Sequence, residues 1–76
     1  MKETEFIKQL ALILEVKPKD IVKNKTLESY DFDSLRVLEL MSFNDQFFEE
    51  LNISADQIQD CVKISDLLKI YGSKIK

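Results

Sequence analysis

Seventy-six residues allow one domain (1–76) with a small core, because a chain this short buries only roughly 60% of its unfolded surface. The absence of histidine excludes a serine–histidine hydrolase. A lone cysteine beside it excludes an internal disulfide and a transition-metal site, and fits a reducing compartment. The net charge of −3 is unevenly placed, at +2 over residues 1–25, −8 over residues 26–60 and +3 over residues 61–76, and the acidic middle repels nucleic acid and attracts a basic protein surface.

Plentiful aliphatic residues, one glycine, one proline and no tryptophan suit an all-α fold with short connections. The first predicted helix covers about Thr4 to Val16, with Phe6, Leu10, Ile13, Leu14 and Val16 on one stripe. Lys17-Pro18 is expected to end it, since the residue before a proline leaves helical geometry. A long connection follows, with Ile21, Val22, Leu27 and Phe32 as its anchors. No signal peptide is expected, because Glu3, Glu5, Lys8, Gln9 and Glu15 interrupt the apolar residues of the N-terminal segment. No apolar run approaches the length of a membrane span, so a soluble cytoplasmic monomer is expected.

The second helix is predicted from Ser34 to about Leu51, with Asp33 as its N-cap. Val37, Leu40, Met41, Asn44, Phe48 and Leu51 form its inward stripe. Leu35 and Leu38 fall outside that stripe beside acidic residues, which suggests a binding surface. Ser54 and Gln57 fit a capping box opening a short third helix to about Cys61, which buries Ile58 and Cys61. The last helix runs from Ile64 to Tyr71, with Ile64, Leu67, Leu68 and Tyr71 inward and Gly72 as its stop.

Ser34 is the residue that stands out chemically. It opens the longest helix, flanked by Asp31 and Asp33, and has no base to activate it. It is either part of a helix cap or the acceptor of a group that another enzyme attaches. The chain offers no catalytic residues, no metal ligands and no glycine-rich phosphate loop of its own, so it is not read as an enzyme.

The order of these features resembles the acyl carrier proteins, or phosphopantetheine-binding carrier domains. The matching residues are Val16-Lys17-Pro18 with Ile21, then Asp33-Ser34-Leu35, Glu39-Leu40, Phe48, Leu51-Asn52-Ile53-Ser54, and Ile58, Cys61, Ile64 and Asp66. The resemblance covers nearly the whole chain. It implies a small four-helix bundle of three main helices and one short one, with a long loop between helices one and two. It also implies that a phosphopantetheinyl transferase attaches 4'-phosphopantetheine from coenzyme A to Ser34, with Asp33 beside it. The resulting phosphoprotein holds acyl or aminoacyl groups as thioesters. Acyl-loading and acyl-transferring enzymes with basic docking surfaces are the implied partners. Leu35, Leu38 and Glu39 match the recognition face, and Arg36 lies among them where fatty-acid carriers often have an acid. The alternative from another class is an unmodified helical interaction module, a degenerate carrier.

The departures from the family pattern are Tyr30-Asp31-Phe32 before the serine motif, Glu49-Glu50 after Phe48, and Arg36. They make a specialised carrier, in secondary metabolism or in glycan or amino-acid modification, at least as good a reading as fatty acid biosynthesis. Asn44 adds to this. On the inward stripe it must find hydrogen bonds, and it disfavours a long alkyl cargo where carriers of long chains are usually apolar. Alternatively, the extra residue near Glu49-Glu50 rotates the helix and exposes Asn44 to water.

Overall fold

A computed structural model describes residues 1–76 and contains four α-helices and no β-strand. Helix α1 spans Glu3–Leu14 and buries Phe6, Leu10, Ala11 and Leu14, a stripe at three- and four-residue spacings. It ends before Pro18 is reached. Glu15 takes the left-handed conformation (φ 59°). The Glu15 N–H then bonds the Leu12 carbonyl and the Val16 N–H bonds the Ala11 carbonyl, which is a Schellman closure formed without glycine. Pro18 instead opens a 3-10 turn, Pro18–Asp20, where its fixed φ fits and its missing N–H costs nothing.

The connection to the second helix is therefore built rather than loose. Leu27 is buried, Ile21 and Phe32 are half-buried, and Val22 is exposed rather than anchored. The strongest anchor is Tyr30, which opens no obvious stripe in the sequence. Its ring is buried, its hydroxyl donates to the Asp20 carbonyl (2.6 Å) and it accepts from the Val22 N–H (3.1 Å). An isolated antiparallel bridge joins Thr26 to Lys63. Around it, Leu27 N–H bonds the Val62 carbonyl (2.8 Å), Ile64 N–H the Lys25 carbonyl (3.1 Å) and Ser65 N–H the Lys23 carbonyl (2.8 Å).

Helix α2 spans Ser34–Phe47, four residues shorter than its expected end at Leu51. Phe48 leaves helical geometry (φ −136°) and turns its ring into the core, and a 3-10 turn, Glu49–Leu51, follows. Val37, Leu40, Asn44 and Phe48 are buried as their spacing requires, while Met41 and Leu51 are only half-buried. Phe43 joins the core in their place, edge-on to Phe6 at 5.9 Å. Helix α3, Ala55–Gln59, opens on the reciprocal Ser54–Gln57 capping box and buries Ile58. Cys61 lies just past it and is half-buried rather than buried. Helix α4, Ile64–Tyr71, buries Ile64, Leu67 and Tyr71, and leaves Leu68 half-buried. Gly72 ends it at φ 54° and ψ −131°, a conformation that suits a residue without Cβ. Phe6 stands between the helices, with ring centroids 4.6 Å from Tyr71 and 6.3 Å from Phe48. No helix is long and apolar enough to cross a membrane.

The start of α4 is held by Asp66, whose Oδ2 accepts from the N–H groups of Lys63 (3.0 Å) and Val62 (3.2 Å). Those two bonds, with Lys69 and Lys63 nearby, hold its carboxyl below the usual carboxylate range. A folded pKa below the unfolded one gives stability that is present above the unfolded value, about 3.9, and is lost as pH falls through the folded value. Asp66→Asn should therefore lower the melting temperature at neutral pH, and the gap to wild type should close in acid. Thermal melts followed by circular dichroism across that range check this, and a pH-independent gap would refute it.

Candidate functional site

Ser34 is the first residue of α2, is exposed, and its hydroxyl makes no hydrogen bond to the protein. Its presentation is set by the residues before it. Asp31 turns the chain in the left-handed conformation (φ 57°), and Phe32 is tucked partly against the core. Asp33 then caps the helix, with Oδ1 accepting from the Arg36 N–H at 3.1 Å. The N–H groups of Ser34 and Leu35 have no partner in the protein. Unbonded N–H groups at the positive end of a fourteen-residue helix favour an anion there.

Ser34 also stands on the edge of a cavity of about 620 Å³. One wall is Leu27 and Phe32 of the loop, with Val37 of α2. A second wall is Gln59, Cys61 and Val62, and Glu28, Asp31 and Asp33 add acids to the lining. Both walls are held in register by the Leu27–Val62 hydrogen bond. Burial pushes the Cys61 thiol up, and Asp66 and Asp60 add to the effect, so it is a poor thiolate at neutral pH. Val62 is 60% exposed and was not apparent from the sequence, because only the bridge brings it to this site.

The other candidate residues lie on the outer side of α2. Leu35 is 58% and Leu38 63% exposed, as their places outside the stripe require. Arg36 is different, since its side chain is mostly covered. Its guanidinium donates to Glu15, just past α1, at 2.8 Å and to Glu39 at 3.3 Å, so it ties the end of α1 to the first turns of α2. The Glu15 hydrogen bond, then the charges of Glu15, Glu39 and Asp33, raise its pKa further against the opposing cost of burial. Glu39 keeps its side chain 40% exposed beside Leu38.

Asn44 is buried, so the water-exposed alternative is overturned. Its Oδ1 accepts from the Tyr71 hydroxyl at 2.6 Å, and its Nδ2 has no partner. Burial pushes the Tyr71 phenol well above its ordinary value.

A family model described as the phosphopantetheine attachment site matches residues 5–70. No curated protein and no solved structure gives a significant match. The head of α2 fits such a covalent group, with an exposed hydroxyl free of internal bonds, unbonded N–H groups beside it and a cavity at its edge.

The Arg36 clamp carries its own prediction. Arg36→Asp should lower the melting temperature, because it sets a fourth carboxylate among Asp33, Glu15 and Glu39, and added salt should restore part of the loss. Arg36→Gln should lower it less. Melts at two ionic strengths decide the matter, and equal losses for the two variants would mean that charge is not the cause.

Proposed function

The chain belongs to the phosphopantetheine attachment family, and we propose that it is an acyl carrier whose arm is attached at Ser34. Domains of this family carry 4'-phosphopantetheine covalently and work as carriers rather than catalysts. The observation that carries the assignment to Ser34 is its free, exposed hydroxyl on the first residue of α2 at the cavity edge. Two other serines are engaged, Ser29 by donating to the Thr26 carbonyl at 2.6 Å and Ser54 in its capping box. When attached, the arm supplies a terminal thiol that holds an acyl or aminoacyl group as a thioester.

The rest of the work falls to the chain itself. Asp33 fixes the first turn of α2 so that Ser34 is held outward for the transferase. The unbonded N–H groups of Ser34 and Leu35 favour a phosphodiester there. Leu35 and Leu38 offer apolar contacts to acyl-loading and acyl-transferring enzymes, and Glu39 offers a carboxylate to a basic docking surface. Arg36 adds to this face by holding Glu39 in place and by breaking the acidic run. That makes a partner adapted to a specialised carrier a better fit than one adapted to an unbroken acidic helix. A tethered arm raises the effective concentration of its cargo at a docked enzyme without any catalytic group in the carrier.

Incubation with coenzyme A and a phosphopantetheinyl transferase, followed by intact mass measurement, tests the attachment. The wild type should gain one arm and Ser34→Ala none, while the variant should melt within about 0.5 kcal/mol of wild type because no internal hydrogen bond is lost. Uptake of the arm by Ser34→Ala would refute the assignment. For recognition, Glu39→Lys should slow transfer to the partner and weaken its salt dependence. Leu38→Ala should weaken binding at all salt concentrations with little change in melting temperature, whereas Glu39→Lys also sets a cation beside Arg36 and should lower the melting temperature slightly. Transfer rates measured against ionic strength check both.

A further inference from the structure

Every lysine of the chain lies in residues 1–25 or 61–76, and the only cation between them, Arg36, is held by Glu15 and Glu39. The fold brings these two segments together. Lys63 pairs with Thr26 in the bridge, the Ser65 N–H bonds the Lys23 carbonyl (2.8 Å), and the Lys76 N–H bonds the Met1 carbonyl (3.0 Å). Of the acids in the two segments, Glu3 and Glu15 are ion-paired, and Asp20 and Asp66 accept from backbone N–H groups. Positive charge therefore dominates this part of the surface, while the acidic excess stays in residues 26–60.

Between α1 and the turn at Pro18–Asp20 lies a groove of about 400 Å³. Ile7 and Ile21, both half-buried, and Pro18 are its apolar lining. Lys8, Lys19 and Lys23 line it as well, and all three are exposed. The one acid of the lining, Glu3, is already bonded to Lys23 Nζ at 2.9 Å, and Lys8 and Lys19 have no ion pair. Val22 follows Ile21 and is 46% exposed, so it adds an uncovered apolar side chain among these lysines. The groove shares no residue with the cavity beside Ser34. Ammonium groups set around uncovered hydrocarbon suit a surface of the complementary make-up, anions joined to hydrocarbon. A wholly polar acidic surface answers only the lysines. An anionic bilayer answers both, because its phosphates lie directly above acyl chains, and lysine reaches the phosphates while its stem lies along hydrocarbon.

We propose that this groove and the segment from Pro18 to Lys25 dock the chain on an anionic membrane surface. The contact is peripheral and reversible, since a few lysines and short apolar side chains supply two weak attractions and no helix crosses the bilayer. It does not depend on the arm at Ser34, so the unmodified protein serves for the test. Co-flotation is measured with vesicles of phosphatidylcholine alone and of phosphatidylcholine with an equal part of phosphatidylglycerol, at low and at raised salt. The wild type should float with the anionic vesicles at low salt, be released by raised salt, and ignore the neutral vesicles. Lys8→Gln, Lys19→Gln and Lys23→Gln combined should weaken binding about a hundredfold, at about fivefold for each lysine. The same loss of charge through Lys69→Gln, Lys74→Gln and Lys76→Gln should weaken it less, and Val22→Ser should weaken it without any change of charge. All seven residues are exposed, so the fold should be retained in each variant. Absence of binding to anionic vesicles at low salt would overturn the proposal. Equal losses in the two triple variants, or none in Val22→Ser, would also overturn it by showing that diffuse charge alone is at work. Equally tight binding to polyglutamate would overturn it in favour of an acidic protein partner.

Discussion

The backbone pairing between residues 23–27 and 62–65 is the constraint on which the functional end of the molecule depends. Without it, the connection between α1 and α2 would be a long tether over a small core, and such segments are hard to hold in a chain of this size. Three hydrogen bonds fix the loop to the start of α4, and Tyr30 fixes its other end by bonding Asp20 and Val22. The head of α2 and both walls of the neighbouring cavity are set by this single tie.

The opposite end is organised by aromatic packing. Phe6, Phe43, Phe48 and Tyr71 meet at centroid distances from 4.6 to 6.3 Å, mostly tilted or edge-on, which suits ring quadrupoles. Into this cluster the chain places one amide. A buried amide end without a partner costs on the order of 1–3 kcal/mol, a substantial part of the stability of so small a domain. The Tyr71–Asn44 hydrogen bond offsets only part of that, since Nδ2 remains unpaired. The two ends of the core are therefore different solvents, a mixed cavity near Ser34 and a dense aromatic floor.

What could be read from the sequence is what local chemistry decides. The bounds of α4, the Asp33 cap and the Ser54–Gln57 box each rest on residues within one turn of each other. The four-helix all-α arrangement follows from the stripes they begin and end. The exposure of Leu35 and Leu38 follows from the same periodicity. Long-range pairing was not legible. Val62 and Tyr30 acquire their roles from the bridge and the loop, and no spacing in the chain announces either. The early end of α1 was hidden because Glu15, not glycine, takes the left-handed position, and Pro18 drew the boundary towards itself. Asn44 was placed on the correct face, but its partner lies 27 residues away.

Tyr30 and Tyr71 also give the protein a built-in optical readout. They are its only tyrosines, and it has no tryptophan, so its absorbance near 280 nm and its longer-wavelength tyrosine emission belong to two rings. Both rings are buried and both hydroxyls are hydrogen-bonded, yet they stand in different parts of the molecule. One belongs to the loop that shapes the cavity and the other to the aromatic floor. Removing either phenol leaves a single ring to report on the other region. Loosening of the loop can then be told apart from loosening of the core, in one cuvette and without any attached dye.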